Sequence, residues 1–378
     1  MSKSLLLLSI LAKYFELMRL RFLYIIVCSF WSAIAIAQVS TPKYSNEFLS
    51  IGVGARGLAM SNSQVSHVAD GTAAYWNPAG LTGIRDRYEI SLMHAAYFAG
   101  VANYDFVGFS MPIDSMNHIG ISIIRFGVDD IPDTRFLYDA NGAINYDNIR
   151  FFSAADYAFL FSFARKSTWL GGIQTGANFK IVHRSVGEFA TAWGFGLDIG
   201  FQKHFKWMDF GLMLRDITGT FNAWSHNVEM VEDVYTLTGN VIPVSSLEVT
   251  LPRAILGASH PFKIGEKMGF LASIDLEMTF DGKRNAPIKT EFLSIAPMAA
   301  IEFDFSKIAF LRVGAGKFQT VKDFNNTTKT SWQPNFGLGV NIKSIRIDYA
   351  MTDVTNSAEG LYSHVFSFAL GLHDKKQQ

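Results

Sequence analysis

Trp193-Gly194-Phe195-Gly196-Leu197-Asp198-Ile199-Gly200-Phe201-Gln202 is the stretch from which the fold can be read. Large apolar side chains fall on every second residue, and glycine, aspartate or glutamine falls between them. Period two is the signature of a strand with two unlike faces. The same pattern returns at Tyr157, Phe159, Phe161 and Phe163 against Ala158, Leu160, Ser162 and Ala164. It returns again at Phe270, Ala272, Ile274, Leu276, Met278 and Phe280 against Gly269, Leu271, Ser273, Asp275, Glu277 and Thr279. A soluble β-sandwich also alternates, with its large residues turned inward. Here the greasy faces are too many and too aromatic for one shared core. The opposite faces carry glycine and isolated ions where a soluble sheet would carry a solvated Lys/Glu surface. A barrel in lipid reverses the arrangement, with large residues outward and small or paired polar residues in the lumen.

Extending the template along the chain predicts fourteen strands: 88–98, 104–113, 117–126, 152–166, 169–184, 191–204, 207–216, 250–260, 268–280, 295–305, 308–317, 332–342, 344–352 and 362–372. Their even number suits a single-chain bacterial barrel. Short turns are expected around Asp114, Ser167, Lys206, Gly265, Ser306 and Lys343. Long connections are expected at 127–151, 217–249, 281–294, 318–331 and 353–361. Short periplasmic turns alternating with long outer loops are what an outer-membrane barrel requires. The last strand, with Phe366, Phe368, Leu370 and Leu372 alternating with Ser367, Ala369 and Gly371, has the aromatic, amphipathic form that assembly machinery recognises. A polar tail, 373–378, follows it.

Composition agrees. Of 378 residues, 17% are charged, against roughly a quarter in soluble proteins, while 33 are Phe and 31 are Gly. With 33 basic and 33 acidic side chains the net charge is zero, which gives no reason to expect nucleic acid as a partner. Upstream, Lys13, Arg19 and Arg21 precede an apolar run, Phe22 to Ile36, and Ala35-Ile36-Ala37 offers a cleavage site. Residues 1–37 therefore read as a signal peptide, with the mature chain starting at Gln38 and Met18 as an alternative initiator. The sole cysteine, Cys28, lies inside that segment, so neither disulfides nor thiolate metal sites are expected in the mature chain.

Between the signal and the first strand, 38–87 is rich in small residues, among them Gly52, Gly54, Ala55, Gly57, Gly71, Ala73, Ala74, Ala79 and Gly80. A fourteen-stranded lumen is too wide for wall side chains alone to fill. This segment is expected to fold inward as a hatch. Within it, Gly54-Ala55-Arg56-Gly57 and the run Asp70 to Leu81, containing Trp76-Asn77-Pro78-Ala79-Gly80, resemble the N-terminal signature of FadL-like barrels. More narrowly, they resemble the PorV/PorQ group of Bacteroidota. Tyr104-Asp105-Phe106, Gly127 to Thr134, Leu251-Pro252-Arg253 and Asp348-Tyr349-Ala350 extend the likeness. It implies an all-β, 14-stranded antiparallel transmembrane barrel, 88–372, with an N-terminal hatch. It further implies one of two roles. PorV/PorQ members are accessory or cargo-binding subunits of outer-membrane machines such as type IX secretion, and related barrels can accompany the barrel-assembly complex. FadL-type members pass hydrophobic small molecules across the outer membrane.

The accessory role is taken as the first expectation, with outer-membrane complex subunits and the lipid and lipopolysaccharide bilayer as partners. The FadL-type transporter is its alternative. Lys180, Arg184, Asp198, Arg215, Asp275, Glu277, Glu302, Asp304, Arg312, Arg346 and Asp348 are placed in the lumen. Five basic and six acidic groups suit a pairing network that holds the hatch better than a path selecting one ion sign. Asn77-Pro78 is read as a turn, with a hinge or gate as the other possibility. Phe136, Tyr138, Tyr146, Phe221, Trp224, Tyr235 and Phe324 are placed on outer loops as partner-binding aromatics. Asp129, Asp130 and Asp133 lack the glycine and distal glutamate of a calcium loop. The nine histidines form no metal motif and no G-x-S-x-G or P-loop occurs. No catalytic, metal or cofactor residues are assigned.

Overall fold

A computed structural model describes residues 45–167, 171–239, 245–322, 327–352 and 363–372. The expected signal segment, Gln38, the polar tail and Phe324 lie outside the described residues. Among these residues one antiparallel sheet closes on itself. Its strands are β1 (Tyr88–Tyr97), β2 (Ala102–Pro112), β3 (Asn117–Asp133), β4 (Arg150–Lys166), β5 (Gln174–Val186), β6 (Ala190–His204) and β7 (Asp209–Arg215). They continue as β8 (Thr220–His226), β9 (Ser245–Thr250), β10 (Arg253–Ile264), β11 (Met268–Thr279), β12 (Ile288–Lys289) and β13 (Ser294–Phe305). The last four are β14 (Ala309–Lys322), β15 (Thr328–Ile342), β16 (Ile345–Thr352) and β17 (Ser363–Leu372). Closure is made by β1 against β17, from Tyr88↔Leu372 to Ala96↔His364.

The wall has fourteen positions, as the alternation predicts, because two of them are broken strands and the two-residue β12 is no separate position, β11 pairing directly with β13. The lower half of β6 pairs with β7 and its upper half with β8. On the other side β10 pairs with β7 and β9 with β8. Asp216 and Gly219 take positive φ, 55° and 69°, where the seventh strand bulges. Leu251-Pro252 interrupts the eighth. The expected loop 217–249 is thus corrected: its two ends are strand, β8 and β9, and helix α1 (Val228–Thr238) lies between them. Outward residues are even-numbered in β7 and odd-numbered in β8, so one alternation template cannot cover both. The expected loop 127–151 is also shortened, to 134–149, by extension of β3 and β4. Turns at the opposite end are tight. Ser306 and Lys307, with φ of 55° and 59°, form the two-residue backbone that a twisted hairpin favours.

The lumen is filled by residues 45–87, and its two sides differ. From β1 to β5, Met93, Tyr104, Phe106, Ile124, Leu160 and Val182 point inward and pack with the hatch residues Phe48, Leu58, Tyr75, Trp76 and Leu81. This departs from the expectation of a small or polar inner face. Each such burial contributes roughly 1.5–3 kcal/mol, and the hatch supplies the apolar surface that makes it possible. Most of the lumen's ions stand on the rest of the wall, β6 to β16, with Asp156, Lys180 and Arg184 of β4 and β5 at the border.

Candidate functional site

The hatch motif is the point of closest contact with the wall. Trp76 is buried, donates its indole N–H to the Val53 carbonyl at 2.9 Å and meets Tyr75 edge-on at 4.7 Å. Asn77 caps the short helix Pro78–Gly83, its Oδ1 accepting the Ala79 N–H at 3.2 Å. Its amide also donates to the carbonyls of Val65 at 2.9 Å and Phe201 at 3.0 Å, so the turn is tied to β6. Two wall glycines permit this approach. A Cβ at Gly200 would lie 2.0 Å from Asn77 Oδ1, and one at Gly176 would lie 2.4 Å from Ala79 N. Pro78, Ala79 and Gly80 are buried beside them.

Two ionic clusters hold the other side. In the first, Arg56 of the hatch grips Glu302 through two bonds, 2.8 and 3.0 Å. Arg312 bridges Glu302 and Asp348 at 2.6 Å each. Arg346 joins Asp348 at 3.3 Å to Asp70 of the hatch at 2.8 Å. In the second, Lys180 contacts Asp198 at 3.1 Å and Asp216 at 2.5 Å. Arg253 approaches Asp216 at 3.8 Å, Glu277 at 3.4 Å and Ser50 of the hatch at 2.6 Å. This second cluster sits where the seventh and eighth strands break.

Other expected members stand apart. Asp275 accepts the backbone N–H groups of Gln64 and Val65, both at 2.9 Å. Arg215 lies over the Tyr75 ring at 4.4 Å and donates to the Tyr75 carbonyl at 3.1 Å. Arg184 is held by Asp156 at 2.8 Å higher in the lumen. Asp304 bonds Lys307 in a turn at 2.7 Å and does not join the clusters. Sequence reading missed Arg56, Asp70, Asp216 and Arg253. The first two were in view as part of the hatch motif, but no strand alternation marks which way they point. In the hatch, burial above all, helped by the Arg56 guanidinium, pushes the His67 imidazole down to about 3.

Above the hatch lies a cavity of about 720 Å³. Phe48, Ile51, Leu58, Phe126, Met298 and Phe318 give it an apolar side. Arg184, Arg253 and Arg284, with Glu47, Asp156 and Glu277, give it a charged one. Of the aromatics placed on loops, Tyr138 and Tyr146 are 64% and 73% exposed, and Phe136 lies under Arg150 at 4.5 Å. Phe221 and Trp224 are corrected to strand β8. Phe221 faces outward against Phe195, and Trp224 lies beneath Arg184. Tyr235 belongs to α1 and is half-buried. The three aspartates of the second outer connection lie at or near the end of β3, Asp129 near Arg125 and Asp133 bonded to Arg135.

A closed barrel with an apolar exterior and a filled lumen defines an outer-membrane β-barrel protein with an internal hatch. The fold is that of FadL-like barrels. The CymD monoaromatic hydrocarbon channel superposes with a TM-score of 0.55 at 12% identity, over 86% of this chain and 98% of that one. The P. putida toluene transporter TodX gives 0.53 at 14%, over 85% and 99%. A Pseudomonas aeruginosa FadL homologue gives 0.51 at 12%, over 85% and 98%. No protein-family model and no curated protein matches the chain.

Proposed function

We propose that this barrel is a non-enzymatic binder and transporter of hydrophobic or amphipathic small molecules, taken up from outside the cell. The cavity above the hatch carries this reading. Its volume falls within the range of small-molecule sites, and its split lining suits a ligand with an apolar body and one polar end. The fold shared with hydrocarbon and toluene transporters points the same way. Passage inward requires the hatch to shift, and the Arg56–Glu302 and Asp70–Arg346 contacts are the latches it would release. Binding of a fluorescent amphiphile such as anilinonaphthalene sulfonate to the purified barrel tests the site. Ala296→Trp, which fills the cavity from β13, is expected to weaken binding at least tenfold. Equal binding by the variant would sink the reading.

The accessory-subunit role, with its PorV/PorQ-like signature, remains a second proposal. The exposure of Tyr138 and Tyr146 favours it. Gentle extraction of a tagged chain from native membranes tests it, and a solitary barrel at every stage would count against it.

A further inference from the structure

The outward face is uneven around the ring. On β11, across the barrel from β2, Phe270, Ala272, Ile274, Leu276 and Met278 follow one another outward with no ion between them. On β15, Phe336, Leu338, Val340 and Ile342 do the same. At about 3.3 Å per residue and a tilt near 40°, ten residues climb roughly 25 Å, the height of a full apolar band. On β1 to β3 the run stops early. Ile90 and Leu92 are followed by His94; Met111, Phe109 and Val107 by Asp105; and Ile119, Ile121 and Ile123 by Arg125.

These three polar residues are neighbours across the ladder, His94↔Asp105 and Asp105↔Arg125. His94 meets Asp105 at 2.7 Å, and Arg125 reaches Asp105 at 3.5 Å and Asp129 at 3.7 Å. All face away from the lumen, with His94 59% and Asp105 36% exposed. Asp105 stands seven residues above Pro112 and Arg125 eight above Asn117, so the row lies about 18–20 Å up the wall, inside a normal band. A charge facing lipid is costly at midplane and nearly free at an interface. The β1–β2 hairpin itself ends just above the row, at Phe98 and Val101.

We propose that the apolar belt is asymmetric, and that outer-leaflet headgroups and water descend to the His94–Asp105–Arg125 row, thinning the membrane beside β1–β3. The occupant of this face is the polar zone of the leaflet itself. A row carrying both signs, already paired within itself and still open to solvent, sits at a low rim and needs only a polar medium. This inference is independent of the transport reading.

Single-cysteine variants in a Cys28→Ser background test it, with bimane attached at Asn103→Cys or Met278→Cys and the barrel reconstituted in phosphatidylcholine vesicles. The positions stand nine residues above Pro112 and ten above Met268. Iodide is expected to quench bimane several-fold more strongly at 103 than at 278, and doxyl-labelled lipid the reverse. Adding Asp105→Leu and Arg125→Leu is expected to give position 103 the lipid-quenched profile. The comparison of 103 with 278 stands even if those leucine variants fail to fold. Lipid-type quenching at both positions overturns the proposal. So does shielding of 103 from both quenchers with cross-linking to a second copy, which would mark a protein interface.

Discussion

Glu302→Gln removes one charge from the centre of the larger cluster and leaves its shape nearly unchanged. Glu302 accepts from Arg56 at 2.8 and 3.0 Å and from Arg312 at 2.6 Å, and Arg312 is fully buried. Breaking a buried pair costs about 3–5 kcal/mol, because the partner is left charged and unpaired. Glutamine keeps an acceptor oxygen, which places the loss near 3 kcal/mol, or roughly a hundredfold in the hatch-opening equilibrium. Hydrogen exchange at the amides of residues 54–60 reads that equilibrium directly. It is expected to accelerate about a hundredfold while the ladder of β4–β6 is unchanged. Asp304→Asn is the control. It lies two residues away on the same strand face, but its partner Lys307 is largely exposed, so its loss is about 0–1 kcal/mol. Equal exchange in the two variants would refute the latch.

Three further outcomes follow from the same contacts. Gly176→Ala drives a Cβ into the hatch backbone at 2.4 Å and is expected to cost about 1–3 kcal/mol, read as a lower thermal midpoint of the folded barrel. Asn77→Ala removes the donations to the Phe201 carbonyl and to the Val65 carbonyl, which keeps only Gln202 Nε2 at 3.0 Å, and is expected to cost about 1–3 kcal/mol, with exchange rising at 77–83 before the strands respond. His67 titrates in the unfolded chain near 6.5 and in the hatch only at about 3, so the unfolded state takes its proton first. Its contribution to stability is complete above pH 6.5 and declines as pH falls toward 3. Between about pH 6.5 and 5, above most carboxylates, His67→Gln is expected to flatten the fall in thermal midpoint; an unchanged slope would remove His67 as its cause.

Much of the wall was legible because its faces are chemically distinct. In β11 the outward set from Phe270 to Met278 and the inward set containing Asp275 and Glu277 can each be read directly. The lower halves of the seventh and eighth strands were legible but their upper halves, β8 and β9, were not, since the Asp216–Gly219 bulge and Leu251-Pro252 each reverse the parity of the outward face. Phe221 and Trp224 therefore read as loop. The hatch was legible from its small residues, but its partners were not. Arg56 and Glu302 lie 246 residues apart, and only closure of the ring brings them together. Glu302 and Asp304 share a face, and sequence offered no means of telling a buried latch from a turn contact. Nor did alternation reveal the apolar half of the lumen, because Tyr104 and Phe106 point inward while Val107 and Phe109, also apolar, point out.

Native mass spectrometry of the barrel released from mild detergent tests the central claim most directly. A plugged barrel with a small-molecule site above its hatch predicts one hydrophobic or amphipathic molecule bound per chain, lost in Ala296→Trp and retained in Asp304→Asn. A barrel that carries no small molecule, or that carries the same adducts in all three forms, would contradict it.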